Sequence, residues 1–342
     1  MSSFANFGNE LYTGKRSYNF VGSKKIWFLV AAVAVALSIL LPVAKGGFNL
    51  GIDFRGGSEF TVSNVKDTDT SLGTKAVQEV VPGAVPRVAN VAGNTMRVQT
   101  DKLTDDQTLK IKEGLTTAYG VTDNEVTSTF VGPTWGADVT RQALMGLLVF
   151  VAFAAVLMAL YFRTWKMSVS AITGMLVTMF ITAGVYSLSD FEVTPSAIIG
   201  FLTVLSYSLY DTVVVFDKIR ENTAGIDAST RRTFAEEVNL AVNQTLVRSI
   251  NTMMVAILPV GAILFIGAGL LGAGTLRDLS LALFVGILIG TAATIFIAAP
   301  LYSWLREREP QLVSQAKRVE HRRNEAVAKA AAAGSPVETA KA

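Results

Sequence analysis

The sequence predicts a membrane-embedded α-helical protein of six spans, with one small α+β domain inserted between the first two. Three observations predict it. Of the 342 residues, 51% are hydrophobic and only 17% are charged, where soluble domains carry nearer a quarter charged. Six stretches each supply the roughly 20 mostly apolar residues that a helix needs to cross a bilayer core. One polar segment, 45–141, interrupts them and is long enough for a small domain.

The spans are expected at 26–44, 142–162, 167–188, 195–216, 246–270 and 279–304. The first differs from a signal peptide. Its apolar run is too long, residues 1–25 precede it, and Pro42 spoils a small-residue cleavage site, so it is expected as a retained anchor. Orientation follows from Lys and Arg. Lys15, Arg16, Lys24 and Lys25 precede the first span. Arg163 and Lys166 separate the second from the third, and Lys218, Arg220, Arg231 and Arg232 the fourth from the fifth. Arg306, Arg308, Lys317, Arg318, Arg322 and Arg323 follow the sixth. All four groups share one side if both termini are cytoplasmic. The opposite short loops hold Asp190, Glu192 and the Arg277–Asp278 pair, and segment 45–141 is then extracytoplasmic.

Within that segment, 57–65 alternates like a strand, with Glu59, Thr61 and Ser63 set against Phe60 and Val62. Residues 71–81 read as a helix stopped by Pro82 and Gly83. Strands are expected at 85–91 and 96–100, joined by a turn at Gly93-Asn94. Residues 104–119 read as a helix with Thr104 as N-cap and Gly120 just past its end. A last strand is expected at 125–131. The order β-α-β-β-α-β is the ferredoxin-like arrangement.

Composition narrows the chemistry. With no cysteine and nine prolines, a disulfide framework, a cysteine-ligated metal site and a proline-rich scaffold are excluded. The single histidine, His321, leaves little room for histidine catalysis or metal binding and reads as a solvated surface residue. No nucleophile motif, metal spacing or phosphate loop is present, so the chain reads as a non-enzyme without cofactor. A net charge of +3, scattered along the chain, argues against nucleic acid as partner. The segment 306–342 is a basic tail, alanine-rich and then Gly334-Ser335-Pro336, its end expected to be disordered. Such a tail meets anionic lipid, the alternative being a ribosome or cytosolic partner.

Ionisable groups inside spans cost roughly 2.5–3.5 kcal/mol each on insertion scales and invite explanation. Asp211 falls in the inner half of the fourth span. A carboxyl there can hold or release a proton at modest cost, as a proton carrier must; the plainer reading is a packing hydrogen bond to a hydroxyl. Arg248 opens the fifth span, where snorkelling to the interface and a functional role are both open. At similar depth the two would form a switch in which proton binding competes with an ion pair. Thr212, Thr245, Ser249, Asn251 and Thr252 are candidates for a polar path. Asp217, Lys218, Arg220 and Glu221 read as a solvated membrane edge. Small residues recur at Gly261, Gly267, Gly269, Gly272 and Gly274, and Gly286 with Gly290 makes a close-approach pair. Pro195 starts the fourth span, and Pro259 kinks the fifth.

Four motifs carry a resemblance. The GIDFRGG stretch Gly51 to Gly57 resembles the motif after the first span in the SecD/SecF family of protein-export membrane proteins. Val131-Gly132-Pro133 resembles that family's VGP motif. Residues 207–222, YSLYDTVVVFDKIREN, and 243–252, NQTLVRSINT, are similar to the fourth- and fifth-span signatures of its SecF branch. Tyr210 stands where the family usually has Asn, and Lys218 where it usually has Arg. The resemblance runs from about residue 17 to 305. It implies a fold like the resistance-nodulation-division transporters and a partnership with SecD and the SecY-E-G channel. It also implies late export of preproteins, after the SecA motor has acted, driven by the proton-motive force in a prokaryotic plasma membrane. The family's functional acid and arginine match Asp211 and Arg248. Gly51, Gly56 and Gly57 read as a hinge between span and domain, with Asp53 and Arg55 free to pair with each other or with SecD. A proton-driven small-molecule efflux pump is the alternative, though one domain of this size is small for a drug pocket. A purely structural subunit is another.

Overall fold

The computed structural model describes residues 3–162, 164–189, 191–268 and 274–332. Arg163, Asp190, Gly269, Gly272 and Gly334-Ser335-Pro336 lie outside the described residues.

A short helix α1 (Ser3–Tyr12) precedes the first span, α2 (Lys24–Ala44). A one-turn helix α3 (Ile52–Arg55) leads into β1 (Gly57–Val62), α4 (Thr70–Val80), β2 (Arg87–Ala92), β3 (Thr95–Thr100), α5 (Asp105–Tyr119) and β4 (Val126–Val131). Then come α6 (Pro133–Phe162), α7 (Trp165–Leu188), α8 (Pro195–Asn222), α9 (Phe234–Ala262) and α10 (Gly274–Ala293). A wider, π-helical turn at Thr294–Ala298 joins α10 to α11 (Ala299–Arg306), and α12 (Pro310–Ala332) closes the chain. Among the described residues, six helices are long and apolar enough to span a membrane, the last running through α10 and α11.

The α/β unit follows its alternation. Its four strands pair antiparallel in the order β2-β3-β1-β4. Phe60, Val62, Met96 and Val98 face α4 and α5 and are sealed by Val77, Ile111 and Leu115. Asp69 caps α4 through Ser71 N–H. A full capping box at Thr104 and Gln107 starts α5, and Gly120 ends it in the left-handed region. The Tyr119 hydroxyl accepts from Gly73 N–H at 3.1 Å and donates to Asp69 O at 3.0 Å, tying the two helices together.

The spanning helices overrun their apolar windows because polar caps set their ends. Pro133 opens α6 well before residue 142. Thr233 and Glu236 form a capping box that starts α9 twelve residues before 246. Thr194 caps α8 with Pro195 in the first turn. Residues 217–222, expected as a solvated edge, continue α8. The tail also differs from expectation over its described part. In α12, Leu312 and Val319 are buried, and Gln315 donates to Ser229 O (3.1 Å) and Arg232 O (2.8 Å). Arg323 pairs with Glu236.

A close seam lies between α8 and α10. Gly200, Val204 and Ser208 meet Ala282, Gly286 and Gly290, one rung per turn. A Cβ on Gly200 would stand 2.8 Å from Ala282 Cβ, and one on Gly286 would run into Val204. Each rung has a glycine on one side, which lets the two backbones come this close.

Candidate functional site

One rung below Gly290 the seam holds a carboxyl. Buried positions on α8 recur as Val204, Ser208, Asp211, Thr212 and Val215, the inward stripe of a 3.6-residue period. Asp211 is 3% exposed. Ser249 on α9 donates its hydroxyl to Asp211 Oδ1 at 2.7 Å, while Oδ2 is buried without a hydrogen-bond partner among the described residues.

Hydroxyls surround it. Thr212 Oγ1 lies 2.9 Å from Thr294 Oγ1, one hydroxyl donating to the other, and each also lies within hydrogen-bond distance of its own helix, at Ser208 O (2.8 Å) and Gly290 O (3.1 Å). Thr294 begins the π-helical turn. Such turns widen a helix locally and recur at functional positions. Tyr207 faces Thr291 from α8, one turn before Asp211. The hydroxyls of Tyr207, Ser208 and Thr291 are buried with unused hydrogen-bonding capacity. A carboxyl so placed can change protonation state without breaking its one bond, because a serine hydroxyl donates to either form.

The structure brings together only part of the expected constellation. Asp211, Thr212 and Ser249 meet. Thr245 is buried but spends its hydroxyl on Ala241 O and Val242 O of its own helix. Thr252 bonds Arg248 O, and Asn251 is exposed. Asp211 and Arg248 are not joined in an ion pair among the described residues, although Arg248 lies near enough for its charge to act on the Asp211 carboxyl. Arg248 is exposed, and among the described residues its side chain makes no ion pair or hydrogen bond. The reason is helical phase: neighbouring residues point about 100° apart, so turning Ser249 inward turns Arg248 outward. It shares the outer face of α8 and α9 with Tyr210 and Asn251. Sequence reasoning missed Tyr207, Ser208, Thr291 and Thr294. The i, i+3 spacing of the two threonines beside Gly290 was the available signal.

The GIDFRGG segment forms a packed joint. Gly51 N–H bonds Val193 O at 3.0 Å, and Thr140 of α6 donates to Phe54 O at 3.3 Å. Gly56 (φ +78°) and Gly57 (φ +136°) adopt backbone conformations that side chains disfavour. A Cβ on Gly56 would stand 2.9 Å from Pro133 Cα, and one on Gly57 2.6 Å from Thr100 O. Gly136 is pressed against Phe54 O in the same way. The glycines thus clamp the first-span linker between the sheet and the start of α6. Arg55 reaches Gln99 Oε1 at 3.4 Å rather than Asp53.

Beside this joint, polar side chains fasten the sheet to the loop between α7 and α8. Arg97 contacts Glu192 at 2.6 Å and Glu59 at 3.7 Å, and Gln99 donates to both acids, at 2.6 and 2.8 Å. Burial, with help from Glu192, pushes the Asp53 carboxyl above its ordinary range, and Arg97 opposes the shift. Arg277, in the first turn of α10, donates to Val91 O at 2.6 Å and stacks on Phe191.

Six apolar helices with a buried carboxyl among them, and a small α+β unit fastened to one end, define a multi-pass membrane protein with an ionisable site at its centre. Residues 111–308 match the family model for the C-terminal region of the protein export membrane proteins SecD and SecF, and residues 43–63 match the SecD/SecF GG motif. The chain is 42% identical over 333 residues to the protein translocase subunit SecF of Mycobacterium tuberculosis, covering 93% of this chain and 74% of that one. It is 40% identical to SecF of Streptomyces coelicolor, covering 98% and 89%. Among solved structures it is similar to SecDF of Thermus thermophilus, described as translocon-associated, at 31% identity and a TM-score of 0.75. That match covers 86% of this chain and 39% of the SecDF chain. The chain belongs to the SecD/SecF family and to its SecF branch.

Proposed function

We propose that this chain is an accessory subunit of Sec protein export which, with a SecD-type partner, uses the proton-motive force to promote late, ATP-independent movement of preproteins through the SecY-E-G channel. In this reading both termini are cytoplasmic, and the βαββαβ unit is a ferredoxin-like domain on the outer side. The SecD component has a precedent in the SecDF relatives of Thermus thermophilus and Bacillus subtilis. SecA acts earlier and only indirectly on this subunit.

The observation that carries the reading is the Asp211 site: a buried carboxyl with one oxygen held by Ser249 and the other unbonded, in a ring of hydroxyls between three spans. Asp211 is the proton carrier. Tyr207, Thr291, Thr294 and Thr212 supply its polar surroundings. Arg248, turned outward beside Tyr210 and Asn251, meets the partner subunit rather than Asp211. One proton crossing 100 mV supplies about 2.3 kcal/mol, enough to bias a two-state element roughly 50-fold. The GIDFRGG joint and the Arg97–Glu192 contact pass that bias to the domain.

The experiment is preprotein translocation in vesicles, with and without an imposed proton gradient, after the ATP-driven phase. Asp211→Asn keeps an oxygen for Ser249 to donate to, so the chain should accumulate normally and retain its SecD-type partner while losing the gradient-dependent part. Wild-type response to the gradient in Asp211→Asn vesicles would move the purely structural reading ahead.

A further inference from the structure

The spans α2 and α6 both pack on α7. Away from the α/β unit each is tied into the core. Trp27 of α2 stacks on Phe296, and Ala154, Met158 and Phe162 of α6 are buried. At the end that carries the α/β unit a groove of about 520 Å³ is left between them. Met179 and Ala183 of α7 line its floor, Val43 one wall, and Leu144 and Leu147 the other. Phe48 and Leu50 close it at the top, in a linker fixed by the Gly51 N–H bond to Val193 O. The walls are open to the side: Val43 is 74% exposed and Leu144 58%.

The lining is apolar, and its two polar side chains are spent elsewhere. Ser38 donates to Ala34 O at 2.8 Å, and the Tyr186 hydroxyl donates to Asp278 O. Along α7 the groove runs from Met179 to Tyr186, about 10 Å at helical rise. One leaflet of hydrocarbon is about 15 Å deep, half of the core. Each wall is topped by an exposed cation at helical spacing. Lys45 lies three residues past Pro42, and Arg141 three residues before Leu144. Lys45 leans over the end of α7, donating to Ser187 O at 3.0 Å. Among the described residues Arg141 makes no ion pair or hydrogen bond, not even with Asp138 one turn away.

We propose that this groove binds one acyl chain of an anionic phospholipid, with the lipid phosphate held by Lys45 and Arg141. Size selects the chain over a helix of another subunit. The groove is about 50 Å² in section, against roughly 80–110 Å² for a helix 10–12 Å across. A foreign span would also cross the full 30 Å or so of hydrocarbon, while the groove stays within one leaflet. The lining agrees. Spans join through small residues and hydrogen bonds, as at the seam between α8 and α10, and here the walls are bulky and offer neither. The face given to the partner subunit lies on α8 and α9, whereas the groove opens between α2 and α6. Charge selects among lipids. Any acyl chain fills an apolar groove, but two cations at its rim favour a headgroup with net negative charge.

The test titrates the purified full chain in detergent, alone and with its SecD-type partner, with phosphatidylglycerol or phosphatidylcholine, and reads retained lipid by native mass spectrometry. One phosphatidylglycerol per chain should be held at least about fivefold more tightly than phosphatidylcholine, and about fivefold more again if both cations act in full. Lys45→Gln and Arg141→Gln should each weaken phosphatidylglycerol about fivefold and leave phosphatidylcholine unchanged; glutamine at 45 keeps a donor for Ser187 O. Ala183→Leu fills the floor and should weaken both lipids. Phosphatidylglycerol with a photoreactive acyl chain should attach within 144–147 or 179–183. Equal affinity for the two lipids, a preference unchanged when both cations are neutralised, or attachment confined to other segments would each overturn the proposal. So would loss of the adduct when the partner is present, which would put a partner span in the groove. If Ala183→Leu fails to accumulate, the two exposed charge variants decide the matter. No readout needs translocation, so failure of the export reading and failure of the lipid site are told apart.

Discussion

Replacing Gly286 by alanine tests the central seam. An added Cβ would run into the Val204 side chain, and Val204 Cβ itself stands 2.9 Å away, so turning the valine to another rotamer gives no relief. The helices must separate. Over-packing a fitted site costs typically 1–3 kcal/mol, and this one falls in the upper part of that range because the obstacle is next to the backbone. Alanine returns about 1 kcal/mol through helix propensity. The net loss is then about 1–2 kcal/mol, or roughly 2–8 °C in the unfolding midpoint for a domain of this size. Gly290→Ala is the control. Its Cβ would lie 3.2 Å from Ser208 Cβ, a contact that a shift of a few tenths of an ångström absorbs, so propensity should leave it neutral or slightly stabilised. Val204→Ala combined with Gly286→Ala should recover part of the loss, since it removes the nearest atoms. The assay is thermal unfolding of the purified chain in lipid nanodiscs. If Gly286→Ala were no more destabilising than Gly290→Ala, the seam would not be held by close approach at Gly286.

Two further outcomes are expected. The raised Asp53 carboxyl means that the folded chain holds that proton more tightly than the unfolded chain does. Its contribution is present below the unfolded value of about 3.9 and is lost as pH rises through the folded one. Between about pH 4 and pH 7 the unfolding midpoint of Asp53→Asn should therefore fall less, or rise more, than that of wild type; parallel curves would refute the assignment. For the orientation, single cysteines placed at Asp69 and Ser229 should react with an impermeant thiol reagent from opposite sides of the membrane, and labelling of both from outside would sink the six-span arrangement.

What the sequence made legible has a physical pattern. Features written in local chemistry were readable: apolar runs, the Thr104 cap, the Gly120 stop, the alternation in β1. Helix overhangs were not, because caps such as Thr233–Glu236 sit outside any apolar window. The described part of α12 escaped notice for a similar reason: its few buried residues are spaced among charges, and Gln315 finds its carbonyls on a loop more than 80 residues away. At the site, Asp211 stood out because a buried charge is expensive. Its hydroxyl partner could not be told from Arg248 because the phase of α9 against α8 is a tertiary fact, and one residue decides whether Arg248 or Ser249 faces the acid. Thr291 and Thr294 were passed over because hydroxyls in spans satisfy their own helix cheaply and so raise no alarm.

The last helix of the bundle connects the two ends of the proposed mechanism. In its first turn Arg277 holds β2 of the sheet, and the Tyr186 hydroxyl and Thr194 hold Asp278. From Asp278 to Thr294 the chain rises about 24 Å at helical pitch, ending against Thr212 beside the acid. Between those points α10 lies against α8 with a glycine on one side of each rung, at Gly200, Gly286 and Gly290. A seam of that kind has little slack: the facing Ala282, Val204 and Ser208 are short and have little room to absorb a shift. A change of contact at Thr212–Thr294 is therefore relieved by moving α10 as a body, or at the wider turn that begins at Thr294. The first route carries a local event at Asp211 to the sheet; the second confines it to the Thr294 end. The proposed coupling requires the first, so the π-helical turn must be stiffer than the contact between Arg277 and the sheet.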